Sequence, residues 1–527
     1  MQKSYLGKVK MIYIDPPYNT GNDFIYPDNF SESLQTYLEY TGQVDEAGTK
    51  FGTNPESDGR FHSKWINMMY PRLYLARNLL RDDGVIFMTI DDHEVDNLRK
   101  ISSEVFGEEN LLASVCWQKK YAPANDKADF STSHDYVLVY AKVRPISKEG
   151  RVQSVLSKEE RTEDMDRAYA NPDNDSRGSW KPGDYTCNKS AEERPNLYYA
   201  ITQPNTGEEI FPKKTRVWAY GKEYHEQNVK DHRVWWGQDG KNRVPSYKRF
   251  LTEVGGVVAQ TVWLWDEVGH TDESKKELKS LFPEAAELFD TPKPTKLIQK
   301  MLSLGVAPQS DDIVLDFFAG SGTTAHAVIE RNNDSSGHCR FILVQLPEPT
   351  KRVDFPTIAD ITKERVRRVI KKLNDEDTGK LNLGVVNKPD RGFRVFKLAE
   401  SNFTTWDAQV AHEPKALQNQ LDFHVDHIRD ERTADDILYE LLLKSGFPLA
   451  TPVEKQTLAG KTVHSVAGGA LMICLERELT LELIRAIAER KPERVVCLDE
   501  GFAGNDQLKA NAVQTFKTKG IVKFQTV

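Results

Sequence analysis

Short apolar runs alternate along the chain with longer segments in which apolar residues recur every three or four positions. The run Val9–Ile14 is apolar at five of its six positions and is followed by an acidic residue and two prolines, so it predicts a buried strand. Further short runs lie at 85–90, 312–316 and 341–346, and helical spacing lies at 65–80, 298–304 and 361–373. This alternation predicts an α/β fold built on a mostly parallel sheet.

Two breaks in this pattern divide the chain. After residue 141 the alternation gives way to charged loops, and it resumes at residue 291, so one sheet is predicted from two separated stretches. From residue 390 shorter elements follow, with helices at 434–444 and 479–490 and strands at 463–466, 471–475 and 494–498. The predicted domains are the two parts of the sheet at 1–145 and 290–389, an insertion at 146–289 and a C-terminal α+β domain at 390–527.

The four residues Asp15, Pro16, Pro17 and Tyr18 follow the first strand directly, at the end of a strand where ligands bind in open α/β sheets. The two prolines restrict the backbone, so the carboxylate, a backbone carbonyl and the aromatic ring keep a fixed geometry. Such a trio suits a flat molecule with an amino group, because the oxygens accept its N–H bonds and the ring stacks on its face. A plain strand-ending turn is the simpler alternative.

A second motif follows a later predicted strand. Asp316, Phe318, Gly320, Gly322 and Thr323 lie between that strand and a segment with helical spacing. This order brings backbone N–H groups close to a ligand at a helix N-terminus. A phosphate-binding loop needs Lys directly after its last Gly, and Thr323 stands there instead. A nucleotide-driven motor therefore has little support, while a plain tight turn stays open.

In combination and in this order, the two motifs resemble those of the DNA amino-methyltransferases that use S-adenosylmethionine. The resemblance is to the permuted class, in which Asp-Pro-Pro-Tyr comes before Phe-x-Gly-x-Gly. It extends through residues 63–80, 84–91 and 134–140 and through the Thr291-Pro292-Lys293-Pro294 turn. It covers nearly the whole chain and is closest to the modification subunit of type III restriction–modification systems.

The resemblance implies a fold and a reaction. The expected fold is a Rossmann-like methyltransferase sheet in permuted motif order, with a target-recognition domain at 146–289 and a docking or oligomerisation domain at 390–527. The expected reaction moves a methyl group from S-adenosylmethionine to the N6 amine of an adenine flipped out of double-stranded DNA. Asp15 and the Pro16 carbonyl would accept the amine hydrogens and Tyr18 would stack on the base, so residues 15–18 are assigned as catalytic. A homodimer and a separate restriction (Res) subunit are the implied partners.

The resemblance also assigns the cofactor site. The residues expected to bind S-adenosylmethionine are Asp316, Phe318, Gly320, Gly322, Thr323, Lys293 and Gln345. Gln345 departs from the family pattern, because many relatives carry there an acidic residue that binds the ribose hydroxyls, and an amide makes that contact without charge. Only fourteen residues precede Asp15, where the family usually has a substantial region. One interpretation is a truncated reading frame, which would impair dimerisation, DNA binding or stability.

The net charge of −8 and the pI near 5.9 are unusual for a DNA-binding protein. Residues 181–250 have the opposite balance, with 13 Lys and Arg against 9 Asp and Glu. Six of the nine tryptophans lie in the same neighbourhood, namely Trp180, Trp218, Trp235, Trp236, Trp263 and Trp265. Basic groups next to aromatic rings fit contacts with DNA, and the resemblance puts the recognition domain here. For any single tryptophan, a place in the hydrophobic core is the simpler interpretation.

Two further segments allow two interpretations each. Residues 19–60 are rich in Gly and polar residues and predict either a mobile lid or a merely disordered loop. The helix at 361–373 has basic residues along one side, namely Lys363, Arg365, Arg367, Arg368, Lys371 and Lys372. We interpret this helix as an amphipathic cover for the sheet rather than as a DNA contact.

Composition and the remaining motifs exclude several classes of protein. The five cysteines are scattered without metal-binding or disulfide spacing, so they predict free thiols and suggest neither a zinc site nor a disulfide framework. No metal site is expected. The chain shows no run of about 18 apolar residues and no signal peptide, which predicts a cytoplasmic protein without a membrane span.

Two alternatives to adenine methylation stay open. One is cytosine-N4 methylation, although related cytosine enzymes tend to carry Ser in place of Asp15. The other is a catalytically impaired recognition subunit that serves a separate nuclease.

Overall fold

The computed structural model describes residues 2–21, 61–123, 128–285, 287–335, 337–379, 390–403, 428–429, 431–502, 504–521 and 523–527. Most of the segment in which a lid is predicted, residues 22–60, lies outside these ranges. The chain forms two compact units. Met1–Val155 and Val262–Val527 together make the first unit, and Leu156–Thr261 makes the second.

The strands within these ranges are β1 (Val9–Ile14), β2 (Leu80–Ile90), β3 (Leu111–Gln118), β4 (His134–Ala141), β5 (Trp180–Asp184), β6 (Ile201–Thr202), β7 (Glu209–Ile210), β8 (Val234–Trp235), β9 (Ser246–Phe250), β10 (Val262–Trp263), β11 (Ile313–Asp316), β12 (Arg340–Leu343), β13 (Val453–Leu458), β14 (Lys461–Val466), β15 (Leu471–Cys474), β16 (Arg494–Cys497) and β17 (Lys523–Thr526). The α-helices are α1 (Gln2–Tyr5), α2 (Phe61–Leu79), α3 (Val95–Phe106), α4 (Glu163–Asp166), α5 (Lys222–Lys230), α6 (Trp265–Val268), α7 (Thr271–Leu281), α8 (Thr295–Gly305), α9 (Thr323–Ser335), α10 (Ile358–Gly379), α11 (Ala434–Lys444), α12 (Leu481–Glu489) and α13 (Asp506–Thr518).

The main sheet of the first unit has the described strands in the order β10-β3-β4-β2-β1-β11-β12. Neighbouring strands are parallel except that β4 runs antiparallel to both β2 and β3. β1 lies between β2 and β11, with Met11 opposite Val85 on one side and Val314 on the other. The two separated stretches therefore form one sheet, as predicted.

Helices cover both faces of this sheet, and this explains why its central strands are apolar at nearly every position. Ile12 and Met88 pack with Trp65 of α2 and Leu98 of α3. On the opposite face α8 approaches closely, because a Cβ on Gly305 would lie 3.1 Å from both the Met11 Sδ and the Val85 Cγ1.

The strand order reverses direction beside β1. The next strand along the chain, β2, lies on one side of β1, whereas β11 lies on the other side and connects through α9 to β12. In open α/β sheets such a reversal leaves a crevice at the carboxyl ends of the strands, and ligands bind there. The residues after β1 and the loop between β11 and α9 both lie at this edge.

The first unit also contains a smaller sheet with the order β13-β14-β15-β16-β17. Its first three strands are antiparallel and its last three are parallel. One face packs against α12 and α13 through Ile484 and Phe516, and the other packs against α11 through Leu442. The C-terminal region is therefore mixed α and β, as the pattern predicts.

The second unit has a three-stranded antiparallel sheet with the order β5-β9-β8 and a short hairpin of β6 and β7. Trp180, Trp218 and Trp236 are buried, so for these three the core interpretation is correct. Lys248, in the predicted basic cluster, is also buried. Its ammonium group pairs with the carboxylates of Asp173 and Asp175, so it is not a surface charge.

Within the described ranges, no helix combines the length and the apolar character that crossing a bilayer requires.

Candidate active site

Asp15 lies directly after β1, and both of its carboxylate oxygens are hydrogen bonded. The Thr89 hydroxyl, near the end of β2, donates to Oδ1 at 2.6 Å. The Lys293 ammonium group donates to Oδ2 at 2.6 Å. The Asp15 side chain is 23% exposed and that of Lys293 is 10% exposed. The carboxylate is therefore fixed in position while one side stays open to a ligand.

Tyr18 lies beside this pair. Its hydroxyl donates to Asp135 Oδ2 at 3.4 Å, and the Lys293 ammonium group lies 5.0 Å from its ring centroid. Burial, with the charges of Asp15 and Asp135, raises the pKa of Tyr18 well above its ordinary value. Tyr18 is thus a neutral phenol that donates a hydrogen bond.

Asp135 reaches Tyr18 because β4 is antiparallel. The start of β4 lies at the same edge of the sheet as the ends of β1 and β2, and Asp135 is the second residue of this strand. It is 2% exposed and accepts a hydrogen bond of 2.5 Å from the Lys119 ammonium group. Burial raises the pKa of Asp135 above its ordinary value, and the charge of Lys119 opposes this rise.

Hydrogen bonds to Pro17 and Asn19 fix the turn around Tyr18. The Trp65 indole N–H donates to the Pro17 carbonyl at 2.7 Å. Asn19 is fully buried and has a φ of +61°, a left-handed conformation that Asn tolerates better than most residues. Its amide donates to the buried carboxylate of Glu94 at 2.5 Å, and Asn97 donates to the other oxygen of Glu94 at 2.8 Å.

The glycine-rich loop is organised by Asp316, the last residue of β11. Its carboxylate accepts from the Phe318 N–H at 3.0 Å and from the Thr324 hydroxyl at 2.5 Å. Burial raises the pKa of Asp316 to about 7. Gly320 and Gly322 have φ values of +51° and +83°, in the region that favours glycine.

Gln345, predicted to contact the ribose, is hydrogen bonded to the backbone of this loop. Its side-chain oxygen accepts from the Gly320 N–H at 2.7 Å. Its amide nitrogen lies 3.2 Å from both the Leu346 carbonyl and a Glu348 carboxylate oxygen. The ribose contact itself stays a prediction.

Lys293 connects the two halves of the site. It was predicted as a cofactor residue, and its ammonium group pairs with Asp15. Its backbone carbonyl accepts from the Thr323 hydroxyl at 3.3 Å. The Asp15 carboxylate and the glycine-rich loop therefore meet at one residue, although Asp15 and Lys293 are 278 positions apart.

The side chains at this edge suit S-adenosylmethionine, which carries a carboxylate, a positive sulfonium and an adenosine. An ammonium group such as that of Lys293 attracts a carboxylate, and carboxylates such as those of Asp15 and Asp135 attract a sulfonium. The contacts of these residues with the cofactor stay predictions. The left-handed glycines at 320 and 322 lead into the N-terminus of α9, where backbone N–H groups point outward. Among the residues that the structure describes, no group of three or more His, Cys, Asp or Glu side chains is arranged to bind a metal ion.

Three residues that shape the site were not predicted as site residues from the sequence. They are Thr89, Glu94 and Asp135. A signal was available for Thr89 and Asp135, because each is a polar residue next to an apolar run of its strand, at 85–88 and 136–141 respectively. Glu94 lies in a polar segment before α3, and nothing in its surroundings along the chain marks it as buried.

Comparison with known proteins agrees with this geometry. A family model described as DNA methylase matches residues 9–346. The StyLTI Mod subunit, a type III restriction–modification enzyme of Salmonella typhimurium, is 36% identical over 77% of this chain, and the chain spans 59% of that relative. The EcoP15I Mod subunit of Escherichia coli is 30% identical over 100% of this chain and 83% of the relative. The structure of the cytosine-N4-specific PvuII DNA methyltransferase is 11% identical, with a TM-score of 0.30 over 70% of this chain and 89% of that one.

The chain therefore belongs to the DNA methylase family and, within it, to the group formed by the Mod subunits of type III restriction–modification enzymes. This assignment confirms the predicted fold class and the predicted class of enzyme, a DNA methyltransferase that uses S-adenosylmethionine.

Proposed function

We propose that this chain methylates the N6 amine of adenine at a specific site in double-stranded DNA, as the modification subunit of a type III system. One observation carries the proposal. The Asp15 carboxylate and the Tyr18 ring converge on Lys293, which also contacts Thr323 of the glycine-rich loop. A base at Asp15 and a methyl donor at the loop would thus be neighbours.

Asp15 and Tyr18 suit an adenine that has left the helix. Asp15 and the Pro16 carbonyl accept the two amine hydrogens, and the Tyr18 ring stacks on the base. Stacking of this kind is worth about 1–3 kcal/mol, which offsets part of the few kcal/mol that flipping costs. The hydrogen bond that Trp65 donates to the Pro17 carbonyl and the one that Glu94 accepts from Asn19 hold the turn in place before the base arrives.

The chemical step needs alignment more than activation. S-adenosylmethionine supplies a methyl group on a sulfonium, so no covalent enzyme intermediate is needed. The amine of adenine is a weak nucleophile because its lone pair is delocalised into the ring. Hydrogen bonds to Asp15 and Pro16 hold the nitrogen in line, and alignment of this kind contributes roughly 7–11 kcal/mol. As positive charge develops on the nitrogen, the Asp15 carboxylate stabilises it and lies within reach of the released proton.

Adenine is favoured over cytosine because of Asp15. The family model covers methylases of both amines, and the cytosine enzymes that resemble this chain tend to carry Ser at this position. The carboxylate in this chain therefore supports N6-methyladenine as the product.

The proposed target-recognition domain is residues 146–289, which include the second unit. The positive segment 181–250 lies entirely within the second unit, where Lys213, Lys214, Lys241, Arg243 and Arg249 are exposed. Exposed cations suit phosphate contacts, which position DNA without reading its sequence.

We propose residues 390–527 as the docking or oligomerisation domain. A homodimer and a Res subunit are the proposed partners, because the Mod relatives belong to type III restriction–modification enzymes.

The test is to incubate the purified chain with S-adenosylmethionine and unmethylated genomic DNA, and then to map N6-methyladenine by long-read sequencing. We expect methylation at one short motif with the wild-type chain and none with Asp15→Ala. DNA binding without methylation by the wild-type chain would refute the proposed activity.

A further inference from the structure

Arg365 of α10 is fully buried directly behind the glycine-rich loop. Its Nη1 lies 2.9 Å from both the Ser321 and the Thr323 hydroxyl oxygens. Its Nη2 lies 3.3 Å from the Thr295 hydroxyl oxygen and 3.1 Å from His326 Nδ1. The guanidinium thus contacts the loop on one side and the start of α8 on the other.

The charge of this guanidinium is balanced inside the protein. Glu277 of α7 lies 3.7 Å from Arg365 Nη2, and the Glu330 carboxylate accepts a hydrogen bond of 3.0 Å from His326 Nε2. Burial lowers the pKa of Arg365 to about 10, so the group stays charged near neutral pH. A buried charge is tolerated only with such partners. Removing one partner leaves an uncompensated charge in the interior, and the desolvation penalty of that charge then lowers the stability of the protein.

These contacts join the two segments that would hold the methyl donor. Ser321 and Thr323 belong to the glycine-rich loop, and Thr295 is two residues after Lys293. The planar guanidinium can contact several acceptors at fixed angles, which a lysine cannot do. Two other contacts link the same segments, namely the hydrogen bond from the Thr323 hydroxyl to the Lys293 carbonyl and the 3.3 Å approach of the Thr295 hydroxyl to His326 Nδ1.

We propose that Arg365 is a positioning residue that sets the glycine-rich loop against the Lys293 turn, and so determines the affinity for S-adenosylmethionine. The inference rests on the proposed function. The basic residues of this helix were interpreted from the sequence as one side of an amphipathic cover. The helix does pack on α9 and β12, through Val366 and Val369, but Arg365 points inward and acts on the loop.

Arg368, three residues further along the same helix, is a matched control. Its guanidinium lies 4.2 Å from the Phe282 ring centroid and donates to the Leu281 carbonyl at 2.8 Å. It also pairs with Glu284 at 2.6 Å. These partners lie on and after α7, away from the loop, so Arg368→Met removes a comparable set of contacts without touching the proposed cofactor site.

The experiment measures binding of S-adenosylmethionine by titration calorimetry and thermal unfolding of the same proteins without ligand. Arg365→Met and Arg365→Lys should each raise the dissociation constant at least about tenfold, a loss of about 1.4 kcal/mol of binding free energy. Ser321→Ala removes one of the two loop hydroxyls that Arg365 contacts, together with the contact between Ser321 and Thr323, and should raise the dissociation constant about threefold. Arg368→Met should keep the wild-type affinity even where its melting temperature falls.

Three results are decisive. If Arg365→Lys and Ser321→Ala both bind S-adenosylmethionine with wild-type affinity, the inference is wrong. This result is decisive even if Arg365→Met does not fold. An equal loss of affinity in Arg368→Met would overturn it as well, because the effect would then be one of general stability. A wild-type chain that does not bind S-adenosylmethionine would instead refute the proposed function.

Discussion

Asp316→Asn should change how the stability of the methyltransferase sheet depends on pH. Burial raises the pKa of Asp316 from its ordinary value of 3.8 to about 7, and the bonds from Thr324 and the Phe318 N–H oppose this rise only partly. In the unfolded chain the carboxyl ionises near its ordinary value. Between the two pKa values the unfolded chain has lost the proton and the folded chain still holds it. Stability therefore falls as the pH rises from about 4 toward about 7, and the loss is complete above the folded pKa.

The size of the loss follows from the shift in pKa. One pKa unit corresponds to about 1.4 kcal/mol. Between about pH 5 and about pH 8, the wild-type chain should therefore lose about 2 to 3 kcal/mol of unfolding free energy because of this one group. Asn has nearly the same shape and does not titrate. The unfolding free energy of Asp316→Asn minus that of the wild type should rise by this amount across the range.

Urea unfolding at a series of pH values, followed by tryptophan fluorescence, measures this difference. Asp354→Asn is a useful control, because Asp354 is exposed and the neighbouring Arg352 lowers the pKa of its carboxyl. Its difference curve should show no rise with pH. Parallel curves for the wild type and Asp316→Asn would refute the claim that Asp316 is buried as a neutral acid at low pH.

Three further predictions concern the base, the turn and the DNA. Tyr18→Phe removes the hydroxyl that contacts Asp135 and keeps the ring, so kcat/KM for methyl transfer should fall by no more than about tenfold. Tyr18→Ala also removes the stacking surface, so kcat/KM should fall about a hundredfold. Equal losses in the two variants would contradict the stacking role. Glu94→Ala removes the acceptor of the Asn19 hydrogen bond and should lower kcat by about tenfold with unchanged affinity for S-adenosylmethionine. Wild-type kinetics would argue against a role for Glu94 in fixing the turn after Tyr18. Lys213→Ala should reduce the slope of log DNA affinity against log salt by about 1, measured by fluorescence anisotropy, and an unchanged slope would exclude a phosphate contact there.

The elements of this fold could be predicted because their apolar spacing is local. The helix predicted at 434–444 coincides with α11, and the run at 312–316 contains β11. The direction of β4 within the sheet could not be predicted in this way, because alternation of side chains is the same in parallel and antiparallel strands. That direction matters for the site, since it brings Asp135 to Tyr18.

The candidate site was predictable where its residues are consecutive and not where the contacts cross the sheet. Asp15 and Tyr18 lie on one turn, so their proximity follows from the motif alone. The pairing of Lys293 with Asp15 depends on β1 and β11 being neighbours. Arg365 is one of six basic residues on its helix by sequence, and only packing against the glycine-rich loop selects it as the buried one.

The central claim is that Asp15 positions an adenine amine for methyl transfer. The most direct measurement uses S-adenosylmethionine with a deuterated methyl group, duplex DNA containing the mapped site, and mass spectrometry of the digested nucleosides. We expect deuterated N6-methyladenine from the wild-type chain and none from Asp15→Ala, with S-adenosylmethionine binding retained in both. Deuterated N4-methylcytosine, or no labelled nucleoside from a wild-type chain that binds both DNA and S-adenosylmethionine, would contradict it.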